Sequence, residues 1–157
     1  MLIEMTIKGL MVDPVTNMPI VILKDKEGDR VLPIWVGIFE ANAIALQIEN
    51  VATPRPMTHD LLRNIITDLE GRVDRVVVCD LKDNTFYATI HLTVRGERVA
   101  IDARPSDAIA LAVRVNVPIF ANEEVLTEAA IVIRDDEEQE VEKFREFLEQ
   151  VTPEDFA

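Results

Sequence analysis

Cysteine occurs once in the 157 residues, at Cys79. No intramolecular disulfide can form and no cysteine cage can hold zinc, which fits a reducing compartment. Long apolar runs are absent as well: none reaches the roughly 18 residues of a membrane span, and Met1-Leu2-Ile3-Glu4 has neither the basic start nor the cleavage signature of a secretory signal. The expected address is the cytoplasm, with no membrane partner. Aromatics are few. One tryptophan, Trp35, and one tyrosine, Tyr87, leave little for stacking single-stranded bases. Basic residues are the minority, 16 against 29 acidic, for a net charge of −13.

That acidity is concentrated. Residues 123–157 hold 13 acidic and 3 basic side chains, whereas residues 1–122 hold 16 acidic and 13 basic. The body is therefore close to neutral, and the charge weighs against non-specific polyanion binding mainly in the tail. A 48% hydrophobic content with 29% charged residues belongs to a folded chain, and the length suits one compact domain.

Apolar and β-branched runs at Ile3 to Val12, Pro19 to Leu23 and Val31 to Val36, separated by turn residues, predict three short antiparallel strands. From Ile38 the period changes, and Phe39, Ala43, Leu46 and Asn50 at helical spacing predict a helix. After Pro54-Arg55-Pro56, Thr58 is placed to cap a second helix with an apolar stripe Leu61, Leu62, Ile65, Ile66 and Leu69, stopped at Gly71. Strands follow at Val73 to Leu81, Thr85 to Val94 and Arg98 to Asp102, with turns at Lys82-Asp83-Asn84 and Gly96. Pro105 suits the first position of a helix running to about Arg114, and a short strand over Pro118 to Ala121 is expected to pair at an edge.

The second half thus repeats the first. Gly28-Asp29-Arg30-Val31 matches Gly96-Glu97-Arg98-Val99, and Ala43-Ile44-Ala45-Leu46 matches Ala108-Ile109-Ala110-Leu111. The fold class expected is α+β, with duplicated β3α units forming a mixed or antiparallel sheet covered by helices. Residues 1–130 read as one domain and 131–157 as an acidic tail. In that tail Val141, Phe144, Leu148 and Val151 recur at helical spacing behind an acidic run, which predicts an amphipathic helix. It serves either as an anionic docking arm or as a solvated terminal helix seated by Phe144 and Phe147. Self-association into a homo-oligomer is expected, because three-stranded units leave edges.

No P-loop, dinucleotide fingerprint, nucleophile elbow or His-Glu-x-x-His pair occurs. The remaining candidates stand where elements join. Glu40 falls in the opening turn of the first helix, where the helix dipole alone favours a carboxylate by about 0.3–1 kcal/mol. His59 and Asp60 open the second helix; the imidazole is either a general acid/base or metal ligand, oriented by the carboxylate, or a structural hydrogen-bonding group. His91, mid-strand, reads as an ordinary strand residue. Asp102, Arg104, Ser106 and Asp107 make the densest polar cluster of the body. An internal Asp–Arg pair fastening strand to helix and an anion or metal site explain Asp102 and Arg104 equally well. Asp80-Leu81-Lys82 matches half of a metal-nuclease constellation, though Asp83-Asn84 is ordinary turn chemistry.

Four blocks in order, Leu32-Pro33-Ile34-Trp35-Val36-Gly37 with Glu40-Ala41, Arg55 to Leu62, Asp80 to Ala88 and Asp102 to Leu111, resemble the bifunctional nuclease family over roughly residues 3–127. The resemblance implies a compact α+β domain and nuclease activity on RNA and DNA, with nucleic acid as partner. It directs attention to Glu40, His59, Asp60, Asp102, Arg104, Ser106 and Asp107. The expectation that follows is phosphodiester hydrolysis. Glu40, Asp102 and Asp107 would hold a divalent cation, Mg²⁺ or Mn²⁺, that activates water. His59 or Arg104, with Asp60 and Ser106 beside them, would handle a proton or the phosphate charge. The competing expectation is a binding or regulatory module that holds a small anion or a protein partner without turnover.

Overall fold

A computed structural model describes residues 1–132. The acidic helix expected over residues 134–150 lies outside the described residues. The elements are β1 (Leu2–Val12), β2 (Pro19–Asp25), β3 (Arg30–Trp35), α1 (Ile38–Ile48), α2 (Thr58–Asp68), β4 (Gly71–Lys82), β5 (Thr85–Val94), β6 (Glu97–Ala103), α3 (Pro105–Val115), β7 (Ile119–Asn122), α4 (Glu123–Ala129) and β8 (Ile131–Val132). All strands join one mixed sheet in the order β6-β5-β4-β7-β1-β2-β3-β8, so the class is α+β.

The strand expected at an edge is instead central. β7 runs parallel to β4 and antiparallel to β1, and so welds two antiparallel three-stranded meanders into one sheet. Its buried residues explain the position, since Ile119 and Ala121 face the common core. The short strand has its backbone paired on both sides, and Asn122 Nδ2 donates to the Cys79 carbonyl at 2.7 Å. Two hairpins turn tightly. Asp83 and Asn84 take φ of 51° and 60°, and Arg95 and Gly96 take 51° and 80°, the paired left-handed conformation that suits a twisted hairpin.

Strand β5 shows how the faces divide. Phe86, Ala88, Ile90 and Leu92 are buried in the core with Ile109 and Leu111 of α3, while Tyr87, Thr89, His91 and Thr93 alternate with them. The helices α1, α2 and α3 pack together on the first of these faces.

Two helix stripes differ from expectation. In α1 the buried residues are Ala41, Ala43 and Ile44, whereas Phe39 is 86% exposed. The small side chains let α1 approach the alanine-rich α3 closely. In α2 only half of the wide apolar stripe is covered: Leu62 and Ile66 pack against the core, while Leu61, Ile65 and Leu69 stay exposed. Thr58 is the first residue of α2 rather than its cap. Met57 takes the cap position, and its N–H donates to Asp60 Oδ2 at 3.0 Å. The helix reverses at Glu70, with φ 63°, and Gly71 already belongs to β4.

Candidate active site

Three helices begin at one place. Each has an acidic residue in its third position, Glu40 in α1, Asp60 in α2 and Asp107 in α3, as the exposed N–H groups and dipole of a first turn favour. Arg104, the residue that caps α3, joins two of these starts. Its Nη2 donates to Glu40 Oε1 at 2.6 Å, and its Nε donates to Asp107 Oδ2 at 2.9 Å. The other oxygen of Asp107 lies 3.0 Å from His59 Nε2, which donates to it from the first turn of α2. The result is a chain Glu40–Arg104–Asp107–His59 linking α1, α3 and α2.

The four side chains differ in access. Arg104 is 64% exposed, while the His59 side chain is 9% exposed and Glu40 and Asp107 are intermediate. Glu40 first, and Asp107 after it, hold the guanidinium in its charged form and raise its pKa. Gly37, which caps α1, is matched to this arrangement, because a Cβ there would collide with the Glu40 carboxylate. An exposed guanidinium backed by a partly buried His–Asp pair can meet an anion and move a proton beside it.

The remaining expected residues do other things. Asp102 is opposite Thr89 in the β5–β6 register, and paired residues share a face. It therefore stands on the side of the sheet away from Phe86 and Ile90, and away from the helices that carry Glu40, His59 and Asp107. Strand alternation explains the separation: residues 102 and 104 are close in sequence, but Arg104 has already left the strand for the helix. Asp60 faces inward. It accepts from the Met57 N–H and, at 2.9 Å, from Nε of Arg114, whose side chain is only 2% exposed. Arg114 also donates to the carbonyls of Ala110 and Ala43. Burial acts to raise the Asp60 pKa, but the Met57 N–H and Arg114 outweigh it and hold the carboxyl below its ordinary range. Ser106 is buried in the first turn of α3 and is no link in the four-residue chain.

The carboxylates expected to hold a cation do not fit one as they stand. Arg104 bridges Glu40 and Asp107, Asp102 is on the other face, and no three His, Cys, Asp or Glu side chains among the described residues gather as a metal site.

A second polar concavity escaped the sequence reading. Arg72, Arg75 and Arg98 surround Asp74 and His91 on the face of β4, β5 and β6 opposite the helices, lining a depression of about 350 Å³. Thr93 and Arg72 hydrogen-bond Asp74 and lower its pKa. Burial and the charge of Arg75 depress His91. The signal was available in the alternation of β5, but the arginines come from two other strands and only the register unites them.

The sequence of residues 21–134 matches the family model described as the bifunctional nuclease domain. An uncharacterised protein of Mycobacterium tuberculosis is 43% identical over 162 residues, covering 98% of this chain and 97% of its own length. Bifunctional nuclease 2 of Arabidopsis thaliana is 30% identical over 106 residues, which is 65% of this chain and 32% of the plant protein. Bifunctional nuclease 1 of Oryza sativa subsp. indica is 28% identical, over 67% of this chain and 33% of its own length.

Proposed function

The chain belongs to the bifunctional nuclease family, and we propose that it hydrolyses phosphodiester bonds of RNA or DNA at the Glu40–Arg104–Asp107–His59 cluster. The observation that carries this reading is the exposed Arg104 guanidinium bound to a partly buried Asp107, which in turn accepts from the buried His59, at the meeting of three helix starts. Arg104 would meet the phosphate through Nη1, since its Nε and Nη2 donate to Asp107 and Glu40. Helix N-termini add partial positive charge beside an anion. His59 donates Nε2–H to Asp107; in the neutral ring this leaves Nδ1 as the basic nitrogen, able to take a proton from water and return it to the leaving oxygen. Asp107 fixes the tautomer and stabilises the imidazolium that forms. Glu40 aims the guanidinium. Arg104 thus supplies the positive charge that a Mg²⁺ or Mn²⁺ ion was expected to bring.

Turnover of labelled single- and double-stranded RNA and DNA tests this, with wild type compared against His59→Gln and Asp107→Asn. General acid–base catalysis contributes about 10²- to 10⁴-fold, so each variant is expected to lose at least about 100-fold in rate while its circular dichroism stays native. Activity unchanged in both variants would remove the assignment. Binding without cleavage by well-folded wild-type protein would favour the anion-holding module instead.

A further inference from the structure

Strand β6 ends the sheet at one side and is uncovered. Glu97 to Ile101 and Asp102 are all exposed, so neither face of the strand is covered. Val99 and Ile101, 37% and 46% exposed, are on the face that the helices cover elsewhere, since they pair with Leu92 and Ile90 of the core. Its charged residues, Glu97, Arg98 and Asp102, are the one edge protection it carries. The strand has no proline, its pairing with β5 runs from Glu97 to Ala103 without a bulge, and its seven residues leave a row of backbone groups directed away from β5. Arg98 and Asp102 stand two positions either side of Ala100, on the opposite face; Arg98 is near enough to Asp74 to help lower its pKa, but neither Arg98 nor Asp102 makes a salt bridge among the described residues.

We propose that β6 pairs antiparallel with β6 of a second copy of this chain, about a twofold axis through Ala100. In a twofold antiparallel pair residue i faces a residue equally far beyond the axis, and opposed side chains share a face. Centred on Ala100, Arg98 of each copy meets Asp102 of the other, and Val99 meets Ile101. Two ion pairs form on one face and two apolar pairs on the other. No neighbouring centre does this. An axis at Val99 sets Glu97 against Ile101 and Arg98 against Ala100; an axis at Ile101 sets Asp102 against Ala100. The segment Glu97-Arg98-Val99-Ala100-Ile101-Asp102-Ala103 is therefore self-complementary in charge and hydropathy at one register, and that selects a second copy as its occupant. This pairing gives Asp102 a role that the hydrolytic cluster does not, and it is independent of the hydrolytic reading.

Sedimentation and light scattering on the full chain test it. Wild type is expected at twice the 17.7 kDa of one chain at micromolar concentration, a common range for interfaces of modest size. Arg98→Asp places carboxylates against carboxylates, and Asp102→Arg places guanidinium against guanidinium. Each variant alone is expected to be monomeric with native circular dichroism, both sites being exposed. Mixed one to one, they are expected to recover a dimer, because each then presents the charge the other lacks. In a Cys79→Ser background, Ala100→Cys is expected to form a disulfide-linked dimer on oxidation, since opposed Cα atoms in such pairs are about 4.5–5.5 Å apart. A monomeric wild type overturns the proposal, and so does a dimer that survives both charge variants or an Ala100→Cys protein that does not cross-link.

Discussion

Glu40, Asp60 and Asp107 occupy the same position in three helices, yet only two of them face one another. What separates them is the arginine each meets. Arg104 is at the surface and binds Glu40 and Asp107, while Arg114 is buried and binds Asp60. The helix dipole explains an acid at each site, and nothing in the sequence says which arginine each will meet. Removing one partner of a buried pair strands the other charge, at a cost of about 3–5 kcal/mol. Asp60→Asn is therefore expected to lower the unfolding free energy by roughly 3 kcal/mol at pH 7, measured by urea denaturation. The pH dependence has a definite sign. The folded carboxyl titrates below its ordinary value of 3.8, so its contribution is complete above that value and fades as pH falls through the folded pKa. The wild-type and Asp60→Asn stabilities should converge in acid. A gap that stays constant down to about pH 2 would show that the ion pair is not its source.

At the scale of elements, what was legible followed from local pattern. The alternation of β5, the turn chemistry of Asp83-Asn84 and the Pro105 helix start all appear as read. The stripes of α1 and α2 did not, because periodicity marks an apolar face without saying how much of it a neighbour covers. Phe39 and Leu61 are apolar and exposed. The place of β7 was illegible for a different reason. Four residues carry no local sign of whether one or two strands will flank them, and a bridge between β1 and β4 depends on pairings far apart in sequence. Ala121→Pro distinguishes the alternatives. Ala121 is paired with Ile3 on one side and Val78 on the other, and proline removes an N–H and imposes its ring. The substitution is expected to cost about 3 kcal/mol or more in thermal or urea unfolding. A loss below about 0.5 kcal/mol, the usual range for a surface site, would place β7 at an edge after all.

For the whole molecule, the Glu40–Arg104–Asp107–His59 cluster exists only once the sheet is complete. Glu40 comes from the half that holds β1, β2 and β3, and Asp107 from the half that holds β4, β5 and β6. The blocks that carry the family resemblance supplied the candidate residues, and geometry sorted them: four meet, Asp60 holds α2 to α3, and Asp102 is at the edge strand. The charge balance now reads differently too. Residues 1–122 are nearly neutral, so the proposed hydrolysis requires a local source of phosphate affinity, and the cluster offers Arg104 for it. The most direct test is the rate of phosphodiester hydrolysis by Arg104→Ala, assayed with and without added Mg²⁺ or Mn²⁺. Losing the group that meets the phosphate is expected to cost about 100-fold or more, with no recovery when the cation is added. An Arg104→Ala protein that keeps its activity, or gains it when Mg²⁺ enters between Glu40 and Asp107, would contradict the account.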